Sequence, residues 1–145
     1  MNFPEPCEGL VVRYAYLWHR EHKAGLEEGN KERPCAIILS VVEKDGRRRV
    51  TVVPVTHTPP GPSEEAIEIP AVTKARLGLD SERSWIVVGE INRFLWAGPD
   101  LRPIPGRDVS TVAYGMLPPT LFARLRKAVL DRHARRKVNV VYRTE

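Results

Sequence analysis

Arg33 and Thr56 are the two residues whose types and spacing first suggest chemistry. Arg33 lies in the run Lys31-Glu32-Arg33-Pro34, which opens an apolar stretch, and Thr56 lies in the run Pro54-Val55-Thr56-His57, which closes the next one. A guanidinium can bind two phosphate oxygens through its fork of donors, and a hydroxyl can add one more hydrogen bond. If the fold brings the two side chains together, they form a candidate phosphate site.

The chain between Arg33 and Thr56 is predicted to form a β-hairpin. Residues 35–42 are mostly apolar, residues 48–55 are rich in β-branched side chains, and Asp45-Gly46 between them is a strong hairpin signal. Because the two strands of a hairpin run antiparallel, its open end must carry Arg33 on one strand and Thr56 on the other.

The register of this hairpin follows if Asp45-Gly46 supplies the two central residues of the turn. Arg33 then faces Thr58, which makes Arg33 and Thr56 diagonal neighbours on one face of the sheet. Side chains so placed have Cβ atoms about 7–8 Å apart, within reach of a guanidinium. The same alternation predicts that His57 points to the opposite face unless a bulge intervenes.

Apolar runs bounded by proline and glycine predict the remaining elements. The regular ones are strands from Leu10 to Trp18, Ala66 to Ile69 and Ser84 to Val88, a helix from Pro70 to Leu77, and a helix beginning at Pro118-Pro119. The segments from His19 to Glu32 and from Ala97 to Asp108 are predicted loops. Residues 138–145 are either an edge strand or a tail.

Composition bounds the class of protein. A chain of 145 residues with 42% hydrophobic residues fits one domain, residues 1–145, and a formal charge of +5 favours an anionic partner, nucleic acid first. Cys7 and Cys35 have neither the number nor the spacing of a disulfide framework or a zinc site. No apolar run approaches the roughly 20 residues that span a bilayer, and the first residues lack a signal-peptide pattern, so we expect a cytoplasmic protein without a membrane segment.

The order of elements predicts an α+β fold. Many short strands separated by proline and glycine turns indicate a small, strongly bent antiparallel sheet with a barrel-like core. The C-terminal helix carries one apolar stripe and should pack on that sheet. The stripe consists of Leu121, Phe122, Leu125 and Val129.

Short motifs in this order resemble the PemK/MazF family of toxin endoribonucleases from bacterial toxin–antitoxin pairs. They are Gly9-Leu-Val-Val12, Arg33-Pro-Cys-Ala-Ile-Ile-Leu39, Pro54-Val-Thr56, Glu90-Ile-Asn92, and Leu117 with the helix after it. The resemblance implies an SH3-like barrel, a homodimer, and neutralisation by a cognate antitoxin. It also implies cleavage of single-stranded RNA without metal or other cofactor, by internal attack of the 2′-hydroxyl.

The resemblance also implies roles for particular residues. Arg33 and Thr56 match the family's catalytic positions, and Glu90 is expected in the groove, where it would read base donors or hold Arg33. A salt bridge at a strand end is the plainer interpretation of Glu90, and pairing with Glu32 or Glu28 is the plainer one of Arg33. His57, beside Thr56, is a candidate for assisting acid–base chemistry because an imidazole can accept and donate a proton near neutrality.

Three more residues are candidates for binding RNA away from the catalytic pair. Arg47 and Arg49 at the hairpin turn could contact phosphates, or could simply give the sheet a charged edge that blocks aggregation. Trp96, beside Ala97 and Gly98, could stack on an unpaired base. No residue set has a convincing metal-ligand pattern, including His19 and His22, so no metal is expected.

A second class of function fits the same residues. A binding module of the same fold, which acts on a protein such as gyrase or on nucleic acid without cutting it, would keep the basic surface and the hairpin. Incubation with single-stranded RNA distinguishes the two, because an enzyme yields discrete cuts and a binder yields only a shift.

Overall fold

A mainly antiparallel sheet organises residues 3–20, 31–135 and 138–143, the part of the chain that the computed structural model describes. Its strands are β1 (Leu10–Tyr14), β2 (Arg33–Val42), β3 (Arg48–Thr56), β4 (Ala66–Glu68), β5 (Trp85–Val87), β6 (Glu90–Leu95), β7 (Ala113–Met116) and β8 (Asn139–Tyr142). Two helices lie wholly within the described residues, α1 (Ala71–Leu77) and α2 (Pro119–Ala134), and His19 and Arg20 are also helical.

The sheet branches at β3. The strand order is β4-β5-β3-β2-β1-β7, while β6 also pairs with β3 and carries β8 on its other side as a parallel neighbour. The branch arises because β3 pairs with β6 over Arg49–Val52 and with β5 over Val55 and Thr56. The α+β class and the antiparallel sheet are confirmed, but the described strands do not close into the expected barrel.

The β2–β3 hairpin forms with a register that differs from the predicted one. The turn is a three-residue loop in which Gly46 adopts a positive φ of 86° and its N–H donates to the Glu43 carbonyl. Such a loop shifts the pairing by one residue relative to a two-residue turn. A bulge between Ile37 and Leu39 shifts it by one more, so that Cys35 faces Pro54.

These two shifts cancel in their effect on which face a side chain takes. Arg33 and Thr56 therefore share a face, as predicted, because a side chain changes face with each one-residue slip. Continuing the Cys35–Pro54 register by two residues sets Arg33 directly opposite Thr56. The predicted pairing of Arg33 with Thr58 is wrong.

Each face of the sheet buries its own apolar cluster. One contains Val11, Ala36 and Val53 with the α2 stripe residues Leu121, Leu125 and Val129. The other contains the neighbouring strand residues, Val12, Cys35 and Val52, with Leu101 and Val112 from the long irregular segment. The alternation between the clusters fixes the register, since a slip would expose both.

Both helices begin at the predicted prolines, and α1 also ends at the predicted glycine. Pro70 and Pro118 stand at the N-caps, and α1 ends at Gly78, whose φ of 72° is left-handed. Leu121, Leu125 and Val129 are buried along α2, which confirms the predicted stripe for these three positions. Neither of the described helices combines the length and apolarity that crossing a membrane requires.

The strands were predicted less completely than the helices. The first strand ends at Tyr14 and not at Trp18, and β6 and β7 were not predicted. Residues 139–142 form an edge strand, which decides between the two interpretations of the C-terminal segment for those residues. Most of the predicted loop between His19 and Glu32 lies outside the described residues, but His19 and Arg20 are helical, so the prediction is wrong for these two.

Candidate functional site

A cavity of about 350 Å³ lies at the open end of the β2–β3 hairpin. Its lining brings together the end of β2, the end of β3, and the turn that follows α1. The charged and polar residues that line it are Arg13, Lys31, Glu32, Arg33, Thr56, His57, Lys74, Asp80, Ser84 and Tyr114. Four of these carry a fixed positive charge and two carry a carboxylate, so the lining favours an anionic ligand.

Arg33 is the first residue of β2 and is half-buried. Its Nη1 donates to the Val55 carbonyl at 3.3 Å, and its guanidinium carbon lies 5.1 Å from the centre of the Trp18 ring. A guanidinium over an indole face is held by the ring quadrupole without losing its charge. Arg33 therefore reaches the cavity as an oriented cation.

Thr56 is the last residue of β3 and lines the same cavity. Its Oγ1 accepts a hydrogen bond from the Thr58 backbone N–H at 3.1 Å. Because that contact uses the oxygen as an acceptor, the hydroxyl proton remains to donate to a ligand. The predicted pair, Arg33 and Thr56, is thus brought to one cavity.

His57 also lines this cavity. The prediction that it would be directed away assumed that strand alternation continues past Thr56, but β3 ends at that residue. Beyond the strand the backbone bends, and the His57 Nε2 lies 2.8 Å from Asp80 Oδ2. His57 therefore lies at the same cavity as Arg33 and Thr56, although strand alternation predicted that it would point to the opposite face.

Lys74 is a charged side chain buried on the inner face of α1. Only 6% of the side chain is exposed, and its Nζ lies 2.6 Å from Asp80 Oδ1 and 2.7 Å from Ser84 Oγ. It also donates to the Glu82 carbonyl. All three of its donors are thereby satisfied, which is the condition for burying an ammonium group.

The turn after α1 brings Asp80 back beside Lys74. Gly78 takes the left-handed conformation, and the Leu79 N–H donates to the Lys74 carbonyl at 2.9 Å. This is the glycine-ended helix turn in which the chain reverses over its last residues. Partial burial tends to raise the pKa of Asp80, but hydrogen bonds from Lys74 and His57 and their charges lower it overall.

A second charged group, built on Glu32, stands at the rim of the cavity. Arg13 Nη2 lies 3.1 Å from Glu32 Oε2, and Arg102 Nε lies 3.4 Å from Glu32 Oε1. Arg13 also donates to the Tyr114 hydroxyl at 3.3 Å. Partial burial opposes the charge of Arg13, yet the bonds to Tyr114 and Glu32 raise its pKa overall.

Glu90 and Asn92 fix the segment that carries Trp18. Asn92 accepts from the Leu17 N–H at 3.0 Å and donates to the Leu17 carbonyl at 2.8 Å, while Glu90 accepts from the His19 N–H at 3.0 Å. These side chains bracket Trp18, which contacts Arg33. Glu90 itself is not part of the cavity lining, and burial raises its pKa.

Arg47 and Arg49 lie at the other end of the hairpin. Arg47 Nε is 2.7 Å from Asp45 Oδ2, and Arg49 Nε is 2.6 Å from Glu43 Oε1. Both arginines therefore have carboxylate partners close in sequence, on an open surface far along the strands from Arg33.

Trp96 is half-buried against the second apolar cluster. Its ring stacks on Phe94 at a centroid distance of 6.2 Å, and Phe3 approaches it edge-on at 6.4 Å. The aromatic side chain that contacts Arg33 is Trp18, which sequence reasoning did not select.

One group of residues near the cavity has the composition of a metal site. His57, Asp80 and Glu82 each offer a ligand atom, and these atoms lie within 4.8 Å of one another. The Lys74 ammonium already lies 2.6 Å from Asp80 Oδ1, so a cation would have to enter beside a fixed positive charge. We assign no metal to this group. The expectation that His19 and His22 hold no metal stays untested, because His22 lies outside the described residues.

No protein-family model, curated protein or solved structure matches this chain. The likeness to the PemK/MazF family therefore rests on short motifs of the sequence alone. One of these motifs begins at Arg33 and another ends at Thr56, and both residues line the cavity.

Lys74 and Asp80 are two of the cavity residues that sequence reasoning missed. A weak signal existed for Lys74, which precedes Leu77 by three positions and so falls on the buried stripe of α1. A lysine on an apolar stripe needs a partner, but the sequence does not say which carboxylate supplies it.

Proposed function

We propose that this protein is an endoribonuclease of the PemK/MazF type that cleaves single-stranded RNA by internal attack of the 2′-hydroxyl. The observation that carries the proposal is the cavity at the open end of the hairpin, which joins Arg33, Thr56 and His57. It supports an anion site next to an acid–base group, the combination that phosphodiester cleavage needs.

The residues divide the work according to their chemistry. Arg33 donates to the non-bridging oxygens and stabilises the charge that grows on phosphorus in the transition state. Thr56 donates its hydroxyl proton to the same phosphate and orients it. The products are a 2′,3′-cyclic phosphate and a 5′-hydroxyl, and the arginine does the electrostatic work that a metal does in other nucleases.

The size of the cavity favours a single strand as substrate. A volume of about 350 Å³ falls in the range of roughly 300–1,000 Å³ that suits one small-molecule unit. A nucleotide of an unpaired strand can enter such a space, whereas a base-paired nucleotide must first leave its stack.

Cleavage of a long unstructured RNA tests the proposal. The purified protein should yield discrete fragments ending in a cyclic phosphate, with and without EDTA, and Arg33→Ala should yield them at least about a hundredfold more slowly. Arg124→Ala is the matched control, because Arg124 is an exposed arginine on α2 that does not line the cavity. A gel shift without cuts would reject the enzyme and favour the alternative, a binding module of the same fold.

The partners of the proposed enzyme follow the same likeness. We propose a cytoplasmic homodimer that a cognate antitoxin neutralises, with an open sheet of the family's SH3-like type. Light scattering should give a species of twice 16.4 kDa at micromolar concentration. A monomeric mass would reject the dimer. We also propose that the antitoxin binds across the groove that RNA uses, and simultaneous tight binding of RNA and antitoxin would reject this shared groove.

A further inference from the structure

Neither Arg33 nor Thr56 can accept the proton that the proposed reaction removes from the 2′-hydroxyl. A guanidinium stays protonated at any physiological pH, and a threonine hydroxyl is too weakly basic to hold the proton of the 2′-hydroxyl. Of the described residues that line the cavity, His57 is the one histidine, and an imidazole is the side-chain type best suited to accepting a proton near neutrality.

The environment of His57 selects one of its two ring nitrogens. Asp80 Oδ2 lies 2.8 Å from Nε2, and an ionised carboxylate can only accept, so the proton of the neutral ring resides on Nε2. Glu82 Oε2 lies 3.8 Å from Nδ1, beyond hydrogen-bond distance. The lone pair of the neutral imidazole is therefore on Nδ1.

Asp80 is itself held by a buried cation. Lys74 Nζ donates to the other carboxylate oxygen, Oδ1, at 2.6 Å and is fixed on its far side by Ser84 Oγ at 2.7 Å. The chain of contacts thus runs from Ser84 through Lys74 and Asp80 to His57. Each link joins a donor to an acceptor, and Lys74, its central member, is buried.

We propose that Lys74 and Asp80 are positioning residues that hold His57 in the Nε2–H tautomer, so that Nδ1 acts as the general base. The inference rests on the proposed ribonuclease function for its reaction, but the arrangement it describes is a property of the free protein. Asp80 also faces the imidazolium once it forms and stabilises it, as does the nearby Glu82 carboxylate.

The step balances as an internal transesterification. The O2′–phosphorus bond forms and the phosphorus–O5′ bond breaks, while the 2′-hydroxyl proton passes to His57 Nδ1. A water molecule protonates the departing 5′-oxygen, and the proton on the imidazolium neutralises the hydroxide that remains. No oxidant, reductant or further reactant enters.

The tautomer of His57 tests the arrangement without RNA. In protein labelled with ¹⁵N at histidine, the two ring nitrogens of a neutral imidazole have widely separated shifts, and His57→Gln assigns the resonances among the four histidines. We expect wild-type His57 to be Nε2–H alone. Asp80→Asn should give a mixture of tautomers, because an amide can donate as well as accept.

Lys74→Met tests the second link, since methionine fills a similar apolar space without a donor. We expect a mixture of tautomers intermediate between wild type and Asp80→Asn. Lys127→Met is the matched control, because Lys127 pairs with Asp131 at 2.8 Å on exposed α2 and should leave His57 unchanged. If Lys74→Met does not fold, Ser84→Ala weakens the same link from its far end and should shift the mixture in the same direction.

Kinetics add the second readout. His57→Gln should lower kcat by about a hundredfold and Asp80→Asn by about ten- to a hundredfold, with little change in KM.

A wild-type ring that is Nδ1–H or mixed overturns the inference even if RNA is cut. A fixed Nε2–H ring in a protein that cuts no RNA keeps the arrangement and rejects the ribonuclease. An unchanged tautomer in both Lys74→Met and Ser84→Ala reduces Lys74 to a structural role.

Discussion

The two ends of the β2–β3 hairpin both carry arginines, but the structure treats them differently. At the turn, Arg47 and Arg49 pair with Asp45 and Glu43, which lie two and six residues away in sequence. At the open end, Arg33 donates to the Val55 carbonyl and lies over Trp18, at the wall of a cavity. At the turn the arginines pair with nearby carboxylates, whereas at the open end Arg33 lies at the cavity wall beside a backbone carbonyl and an aromatic ring.

The difference in solvent exposure between the two ends indicates which arginine is suited to catalysis. A pair such as Arg47 and Asp45, exposed by 60% and 51%, interacts through water and contributes little to binding or stability. A half-buried guanidinium is screened less, so its interaction with an anion is stronger. Preorganised donors stabilise a transition state because they need no rearrangement when charge develops.

The largest expected effect is the loss of cleavage on replacing Arg33. Arg33→Ala removes a bidentate donor, which typically costs about 3–4 kcal/mol in the transition state, a hundred- to thousandfold in rate. Arg33→Lys should recover little, because an ammonium lacks the planar fork. Arg47→Ala, at the other end of the hairpin, should stay within a few-fold of wild type. Cleavage near the wild-type rate by folded Arg33→Ala would remove the distinction between the two ends.

Asp80 near the cavity and Asp45 at the turn allow the two ends of the hairpin to be compared by their contribution to the free energy of unfolding. Both have a pKa below the ordinary value of 3.8, Asp45 through hydrogen bonds from Arg47, and Asp80 through Lys74 and His57 against the effect of burial. Asp80→Asn leaves buried Lys74 without its carboxylate, and we expect a loss of about 1–2 kcal/mol at pH 7, reduced because Asp80 is half exposed. Asp45→Asn should have no measurable effect.

The pH dependence has a definite sign. A carboxylate whose native pKa is depressed stabilises the fold above its unfolded pKa, and that contribution disappears as pH falls through the native value. The difference between wild type and Asp80→Asn in urea denaturation should therefore be full at pH 6 and shrink below about pH 4. A difference that persists unchanged at pH 2.5 would show that the contact between Asp80 and Lys74 is not the cause.

Local signals in the sequence were enough for the helices and for the pair at the site. Pro70, Gly78 and Pro118 act on the backbone within one turn, so they mark helix ends without reference to the rest of the chain. The shared face of Arg33 and Thr56 was predicted correctly although the register was not, because the three-residue turn and the bulge cancel in parity. Neither irregularity has a unique sequence signature.

The rest of the site depends on contacts between distant segments. Asp80 meets His57 across 23 positions and Asn92 holds Leu17 across 75, and no spacing rule connects such residues. Strand β6 was missed because it has polar Glu90, Asn92 and Arg93 within six residues. Those polar side chains are the ones that hold the Trp18 segment and reach β8. Because they interrupt the alternation of apolar and polar residues, the strand lacks the usual sequence pattern.

Thr56 sharpens the comparison within the cavity. Thr56→Val keeps the shape and removes the hydroxyl, so it should lose one neutral hydrogen bond to the phosphate, about 1 kcal/mol or roughly fivefold in kcat/KM. Thr58→Val is the matched control, because Thr58 contributes only its backbone N–H to Thr56. A loss for Thr56→Val as large as that for Arg33→Ala would mean that the hydroxyl takes part in proton transfer and not only in orientation.

The smallest effect is expected at the hairpin turn, where salt dependence is more informative than rate. Each phosphate contact to a single strand adds about 0.7 to the slope of log affinity against log salt. If Arg47 and Arg49 each contact a phosphate, the double variant Arg47→Ala/Arg49→Ala should reduce the slope by about 1.4. The ion pairs with Asp45 and Glu43 already neutralise these charges. We therefore expect a reduction of less than half that value. The matched control is Arg124→Ala/Lys127→Ala on α2, which removes the same charge, including one cation in a local ion pair with Asp131. Binding of an uncleavable RNA analogue from 50 to 300 mM salt measures both. A full reduction at the turn with none in the control would show that RNA displaces the local carboxylates, and that the strand runs along the hairpin from the cavity to the turn.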